Sequence, residues 1–183
     1  MRVVAFHQIL QGVHALHSAG FIHRDLKPAN LGVVKFSPVE ISTVILDYGQ
    51  TIRTATCDPR QGSVGTVSYL APEMELERYG QGVDIWACGI VGLQLFITDG
   101  KLNWRNVVDE KIKFDRTLAP LRGASSTTVN NLLSQMLASD PEERISAESA
   151  LTHSCFASLP HAGLQSVNVQ PGQKRIGSQS SSS

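Results

Sequence analysis

Residues 21–30 read FIHRDLKPAN, and the interpretation of the neighbouring sequence depends on this stretch. It is polar at its centre and contains Pro28, so we expect a loop rather than a helix or a strand. An amphipathic helix is predicted just ahead of it, over residues 3–18, because apolar side chains recur there at three- and four-residue steps. Gly20 follows in the position of a helix-terminating glycine. The polar loop is therefore predicted at the end of a helix.

Further along the chain, the sequence predicts a small hairpin, a long loop and a buried helix, in that order. Val33–Val34 and Val44–Leu46 predict a small hairpin with a long connection. Residues 47–73 are rich in Gly, Ser and Thr without any period, so we expect a long loop, and loops of this length are usually functional. Residues 82–98 are apolar on nearly every side and predict a buried helix.

The last third predicts two further helices and then a change of composition. An amphipathic helix is predicted over residues 127–138, and a short one over 146–152 with Ser146 as its N-cap. The end of the chain is rich in Gln, Ser and Gly and has too few apolar residues to order itself. We therefore expect one domain over residues 1–160 and a disordered tail over 161–183.

Composition excludes several classes of function. The 183 residues include 16 basic and 16 acidic side chains, so neither nucleic acid nor an anionic membrane is an expected partner. Three cysteines without a CxxC pair argue against a disulfide scaffold or a zinc site and for a reducing compartment. The N-terminus lacks the layout of a signal peptide, and the longest apolar run, residues 85–97, is too short to span a bilayer. We expect an intracellular protein, cytoplasmic in the first place, with the nucleus as the alternative.

Four short motifs follow one another in a fixed order. They are His23-Arg24-Asp25, Asp47-Tyr48-Gly49, Gly65-Thr66 followed by Ala71-Pro72-Glu73, and Asp84-Ile85-Trp86 with Arg144 further on. Over about 156 residues the chain resembles the large C-terminal lobe of the eukaryotic protein kinases, of the serine/threonine type. The resemblance implies an α+β, mainly α-helical fold with a small β-hairpin. It also implies phosphoryl transfer from ATP, with Mg²⁺, to Ser or Thr hydroxyls of a protein substrate.

The resemblance assigns the chemistry to three side chains. Phosphoryl transfer depends on positioning and charge neutralisation more than on covalent work. Asp25 is expected to accept the proton of the attacking hydroxyl, and Lys27 to neutralise charge on the transferred group. Thr66 is expected to join the two. From the residues alone, Asp25 could instead cap a turn, Lys27 could be a solvated surface lysine and Thr66 a plain loop threonine.

The expected cofactor site consists mainly of oxygen ligands. Asn30 and Asp47 are expected to hold Mg²⁺, since a hard cation prefers oxygen, and Gly49 and Lys27 complete the expected ATP contacts. Asn30 alone could favour a turn, but its five-residue offset from Asp25 is the offset found in kinases.

The remaining matches are expected to be architectural. By resemblance, Asp84 fixes the backbone of the catalytic loop, and His23 and Tyr48 belong to a packed column inside the lobe. Glu73 and Arg144 match a buried ion pair that holds the end of the activation loop, a kind of pair that is costly to break singly.

An arginine directly before the catalytic aspartate often signals regulation by phosphorylation, because the phosphate pairs with it. Arg24 is therefore the expected phosphate partner. The position that family members most often phosphorylate aligns with Gly62, which has no hydroxyl. Thr54, Thr56 and Ser63 are the candidate sites instead.

The sequence also departs from the family pattern. It contains neither a glycine-rich loop nor a strand lysine, so we expect the N-terminal lobe to be absent and the isolated chain to transfer little or no phosphate. Gly32 stands where relatives place a leucine beneath the adenine, which predicts weaker nucleotide binding. The alternative is a non-catalytic kinase-like lobe that acts as a binding or regulatory module, with association through its exposed inter-lobe surface. A small-molecule kinase is disfavoured, because such enzymes lack the segment at residues 65–73.

Overall fold

The structure is a computed structural model that describes residues 1–56, 64–75, 79–97, 121 and 124–159. Within this part of the chain, α-helices are combined with two small antiparallel sheets, as the α+β prediction requires. The predicted tail over residues 161–183 lies outside the described residues, as does most of the stretch between residues 98 and 123.

The first helix, α1, spans Arg2–Ser18, close to its predicted bounds. Its buried side chains are Ala5, Phe6, Ile9, Leu10 and Val13. Gly20 has a φ of 79°, in the left-handed region that glycine enters without strain, so the chain can turn sharply out of the helix. This turn leads directly into the segment that contains Asp25.

The strands are β1 (Phe21–Ile22), β2 (Leu31–Phe36), β3 (Ile41–Ile45) and β4 (Ile52–Arg53). In the described residues β1 pairs with β4 and β2 with β3, both antiparallel. The predicted hairpin is confirmed, but the prediction of a long connection was wrong. The strands continue through Phe36 and Ile41, and the Ser37 amide donates to the Glu40 carbonyl at 2.8 Å across a short turn. Pro38 therefore lies in a tight turn rather than in a long loop.

Helix α1 supports the hairpin from one side. A Cβ at Gly12 would lie 2.9 Å from Cδ1 of Ile45, so the helix backbone and β3 are in close contact. Gln8 adds a polar link, because its Nε2 donates to the Ile41 carbonyl and its Oε1 accepts from the Thr43 amide, both at 2.9 Å. The outer edge of β3 is thus bonded to a side chain of α1.

The apolar helix α2 spans Gly82–Phe96 and runs through the core, as predicted. Two glycines allow α2 to pack closely against the residues around 133–137. A Cβ at Gly89 would lie 2.8 Å from the Leu137 side chain, and one at Gly92 would lie 2.4 Å from that of Leu133. Because a larger side chain would force the neighbours apart, these glycines set the distance between α2 and the next helix.

The C-terminal helices, α3 (Val129–Met136) and α4 (Ala147–Leu151), begin at side-chain caps. Thr128 caps α3, and Ser146 caps α4 as predicted. The predicted long loop over residues 47–73 is more structured than expected. Besides β4 it contains short 3₁₀ turns at Thr54–Thr56, Val67–Tyr69 and Pro72–Glu75. In the described part of the chain, no helix combines the length and the apolar character needed to cross a membrane.

Candidate active site

The loop after β1 is held in place by one buried carboxylate. Asp84, in the first turn of α2, accepts hydrogen bonds from the backbone amides of His23 at 2.8 Å and Arg24 at 2.9 Å. The His17 Nε2 donates to the same carboxylate at 2.9 Å. A buried carboxylate is costly unless its oxygens are well bonded, and here three donors converge on them. We call Asp84, His17 and these two amides the catalytic-loop anchor.

The anchored loop has an unusual backbone conformation. Arg24 has a φ of 69°, a left-handed value that non-glycine residues adopt only where surrounding contacts enforce it. Gly65 has a φ of 120° and approaches so closely that a Cβ there would lie 2.5 Å from the Arg24 carbonyl oxygen. The side chain of Arg24 donates to the Gln50 carbonyl at 2.7 Å and to the Tyr79 hydroxyl at 3.1 Å. The loop is therefore fixed through both its backbone and its side chains.

Three of the predicted site residues meet at this loop. The Lys27 ammonium donates to Oδ2 of Asp25 and to the Thr66 hydroxyl, both at 2.8 Å, and Thr66 donates to Oδ1 of Asp25 at 3.0 Å. Asn30 adds a bond from its Nδ2 to the same carboxylate at 3.0 Å. The structure thus joins residues that are 41 positions apart in the chain into one closed hydrogen-bond network.

This network favours the ionised form of Asp25. Partial burial acts to raise its pKa, but the bonds from Lys27 and Thr66 and the charge of Lys27 outweigh that effect. The net result is a pKa below the ordinary value of 3.8. The carboxylate is therefore ionised at neutral pH and can accept a proton.

The backbone at the end of the hairpin brings the two predicted cation ligands close together in space. Asn30 uses its nitrogen to bond Asp25, so the amide oxygen is the end that remains to bind a cation. The Leu46 amide donates to the Asn30 carbonyl at 2.8 Å, which brings the next residue, Asp47, beside Asn30. Asp47 has an exposed carboxylate and a left-handed φ of 56°.

This pair of oxygen donors fits Mg²⁺, which usually takes only one or two protein ligands and fills the rest of its shell with water and phosphate. Among the described residues there is no cluster of three or more His, Cys, Asp or Glu that could hold a metal without such help. Gly49 is placed here as well, since its amide donates to Oδ1 of Asp47 at 3.2 Å.

The two members of the expected packed column differ in burial. His23 is fully buried, accepts from the Asp25 amide at Nδ1 and donates from Nε2 to the Leu46 carbonyl, an arrangement that fits the neutral ring. Tyr48 contacts it edge-on, with ring centroids 5.4 Å apart. Tyr48 is covered on this side only, and 53% of it is exposed. Its hydroxyl donates to the Ile45 carbonyl at 3.3 Å.

Glu73 and Arg144 form the expected ion pair. Arg144 donates from both terminal nitrogens, one to each oxygen of Glu73, and it also bonds the carbonyls of Gly82 and Ala138. Its guanidinium lies 5.1 Å from the ring centre of Trp86. Both charged side chains are buried, and such pairs need this full set of partners to offset the loss of water.

The candidate phosphorylation sites have only partly described surroundings. Thr54 is exposed, and its hydroxyl accepts from Gln81 at 3.5 Å, while its amide bonds Gly20 near the end of α1. Thr56 ends the adjoining 3₁₀ turn, and Ser63 lies outside the described residues. Arg24, their expected partner, bonds Gln50 and Tyr79 as described above.

Sequence reasoning missed His17 and Tyr79. His17 is an ordinary polar residue in the last turn of a helix, 67 positions from the carboxylate that it bonds, and no spacing rule relates the two. The two described cysteines, Cys88 and Cys155, lie in surroundings that disfavour the thiolate. Burial raises the pKa of Cys88 far above its usual range and that of Cys155 to about 11.

The fold and this site agree with the comparisons to known proteins. The family model described as the protein kinase domain matches residues 2–156, so this chain belongs to the protein kinase family.

Among curated proteins, the liver/testis phosphorylase b kinase gamma catalytic chain of Homo sapiens is 31% identical over 180 residues, covering 91% of this chain and 42% of that protein. Mitogen-activated protein kinase p38a of Drosophila melanogaster is 33% identical, covering 80% of this chain and 48% of that protein. The calcium/calmodulin-dependent protein kinase type II alpha chain of the same fly is 34% identical, covering 80% and 28%. The chain thus spans about half or less of the length of these relatives.

Proposed function

We propose that this chain is the large lobe of a serine/threonine protein kinase and carries the phosphotransfer residues of its active site. The observation that supports this best is the closed network of Asp25, Lys27 and Thr66. It combines an ionised carboxylate, a cation and a hydroxyl within 3.0 Å of one another.

Each residue has a specific task in this proposal. Asp25 orients the acceptor hydroxyl and takes its proton as the oxygen bonds to the γ-phosphorus of ATP, while the bond from that phosphorus to the β,γ-bridging oxygen breaks and ADP leaves. Lys27 places positive charge beside the transferred group, and Thr66 fixes Asp25 and Lys27 relative to each other. When bound by Asn30 and Asp47, Mg²⁺ supplies charge neutralisation for the phosphates.

The choice of acceptor follows from the same residues. A lysine two positions after the catalytic aspartate, bonded to a threonine of a Gly-Thr pair, resembles the serine/threonine kinases. The chain contains this combination as Lys27 and Thr66. We therefore propose Ser and Thr hydroxyls of proteins as acceptors, with ATP as the donor.

The test is a phosphotransfer assay on this chain, alone and with a kinase small lobe joined ahead of Met1. With Mg-ATP and matched peptides that carry Ser, Thr or Tyr, we expect the fusion to phosphorylate Ser and Thr peptides and the isolated chain to remain near background. Asp25→Asn should lower kcat about 10²–10⁴-fold, as removal of a general base does. Asp140→Asn, at an exposed turn far along the chain, is the matched control.

The proposal fails if the fusion binds Mg-ATP but transfers no phosphate, or if Asp25→Asn leaves the rate unchanged. One observation favours the second function, a non-catalytic binding module. The hairpin exposes several large apolar side chains, among them Val34, Phe36 and Val39. An inactive fusion would favour this alternative.

A further inference from the structure

Two histidine rings hold the short 3₁₀ turn that follows α4. The turn spans Ser154–Phe156, and we call it the C-terminal turn. His153 caps its start, and His7 of α1 contacts the buried Phe156 from the other side. Histidine is the side chain whose charge changes most readily near neutral pH. The contacts of the C-terminal turn with α1 and α3 therefore depend on two groups that can take up a proton.

His153 holds the start of the turn through both ring nitrogens. Its Nδ1 accepts from the Cys155 amide at 3.2 Å, and its Nε2 donates to Oδ1 of Asn131 in α3 at 3.0 Å. A ring nitrogen can accept a hydrogen bond only while it carries no proton, so this pair of bonds requires the neutral ring. A proton on Nδ1 would place two donors against each other, and the cap on the Cys155 amide would be lost.

His7 holds the turn by ring contact. Its ring and that of Phe156 lie edge to face, with centroids 4.8 Å apart. Burial lowers the pKa of His7, and a hydrogen bond with the Leu151 backbone only partly opposes this effect. Burial also lowers the pKa of His153. Both rings are therefore neutral at pH 7, and a proton on either one has to be accommodated in a partly apolar contact.

The surroundings of the two rings contain little charge that would compensate such a proton. On α1 the nearest titratable residues are Arg2 and His14, each more than one helical turn away from His7. Glu148 of α4 is exposed, and Cys155 has a pKa of about 11, so its thiol is uncharged. Neither α3 nor residues 124–128 ahead of it contain a titratable side chain. Within the described part of the chain, no carboxylate pairs with either ring.

We propose that His7 and His153 form a proton-sensitive clasp that releases the C-terminal turn from α1 and α3 when the pH falls below neutral. Protonation of His153 removes the acceptor at the start of the turn, and protonation of His7 adds a charge that burial disfavours. Because both pKa values are lowered from 6.5, each ring binds its proton more readily once the turn is open. The clasp thus contributes stability above pH 6.5 and loses it as the pH falls towards the lowered values. This device goes beyond the proposed function, since it regulates the order of the fold.

The test is amide hydrogen exchange of the 183-residue chain between about pH 7.5 and about pH 5.5, corrected for the intrinsic pH dependence of exchange. The opening constant reported by the Cys155 and Phe156 amides should rise up to about tenfold per pH unit for each histidine that gains a proton on opening. The amide of Ile90, at the centre of α2, should keep its protection over the same range, because the rest of the core stays folded.

Two substitutions remove the proton and keep the contact. His153→Asn retains a side-chain acceptor for the cap, and His7→Phe retains an aromatic ring against Phe156. Each variant should lose one of the two proton-linked steps and match the protection of the original chain within about threefold at neutral pH. The double variant should show no pH dependence over this range. His14→Asn, on the same helix, is the matched control and should keep the full dependence.

NMR titration of the His7 and His153 rings in the original chain supplies a second measurement that needs no variant. Both rings should titrate below 6.5, and values at or above 6.5 for both would overturn the clasp. Unchanged protection of the Cys155 and Phe156 amides across the pH range would also overturn it, as would a pH dependence that survives in the double variant. Equal loss of protection at Ile90 would mean that acid unfolds the whole domain and that no separate clasp exists.

Discussion

The catalytic-loop anchor and the β2–β3 hairpin show two different ways of holding site residues. The anchor is buried and polar, and its carboxylate is bonded by His17 and two backbone amides. The hairpin is largely apolar and exposed, with Val39 at its turn 91% accessible. The contrast indicates that the loop with Asp25 is held by buried contacts of the fold, while the hairpin is supported by α1 on one side and exposed on the other.

The largest expected effect on stability compares a second buried polar contact, the Glu73–Arg144 pair, with an exposed ion pair of the hairpin. Arg144→Met removes the partner of a buried Glu73, which should lower the free energy of unfolding by about 3–5 kcal/mol. Lys35→Met breaks the exposed Lys35–Glu40 pair and should cost at most about 1 kcal/mol. Urea unfolding of the two variants measures the difference. Equal losses would mean that burial does not distinguish the two regions.

A smaller loss of stability is expected from a substitution at Gly65, which closely contacts the anchored loop. Gly65→Ala introduces a Cβ at a φ of 120°, 2.5 Å from the Arg24 carbonyl, and should cost about 1–3 kcal/mol. Gly80→Ala is the control, since a Cβ there meets no atom within 4 Å.

Because Thr66 is the next residue, we also expect its bond to Asp25 to weaken. Hydrogen exchange of the His23 and Arg24 amides should accelerate in Gly65→Ala and not in Gly80→Ala. If both variants protect these amides as the original chain does, the loop is held by the anchor alone.

The smallest expected effect concerns the charge network. Lys27→Ala removes a hydrogen bond and a positive charge from Asp25 while its burial remains, so the pKa of Asp25 should rise. In the original chain this lowered pKa contributes stability that is present above pH 3.8 and is lost as the pH falls through the lowered pKa. The variant should lose less stability over that acid range.

Carbon-13 NMR titration of the labelled Asp25 carboxyl, with Lys35→Ala as the control, measures the shift. An Asp25 pKa that is unchanged in Lys27→Ala would show that Thr66 and Asn30 are sufficient to keep the carboxylate ionised.

Much of this arrangement was predictable because it depends on local patterns. The period of α1, the apolar run of α2 and the cap at Ser146 are short-range signals, and all three are present. The resemblance also selected Asp25, Lys27 and Thr66, which the structure brings into contact.

The rest depends on contacts that sequence spacing does not encode. His17 reaches Asp84 only because α1 and α2 pack together in the core. Tyr48 matches a position of the expected packed column, but the exposed fraction of its ring depends on which residues cover it. The Asp-Tyr-Gly motif does not specify those residues. The space around Gly32 likewise depends on the side chains of Val44 and Leu46, which contact it from the paired strand.

The bond between Gln8 and the outer edge of β3 has a consequence for solubility. Unpaired strand edges invite other chains to add strands, and proteins commonly block them. At β3 the block is a side-chain amide from α1 that occupies the Ile41 carbonyl and the Thr43 amide, with Tyr48 at the Ile45 carbonyl. An added strand would therefore have to pair with the outer edge of β2. The pairing of β2 with β3 shifts register between Val33 and Lys35. A bulge of this kind makes a poor template for an incoming strand, so the hairpin is guarded against aggregation at both edges by different means.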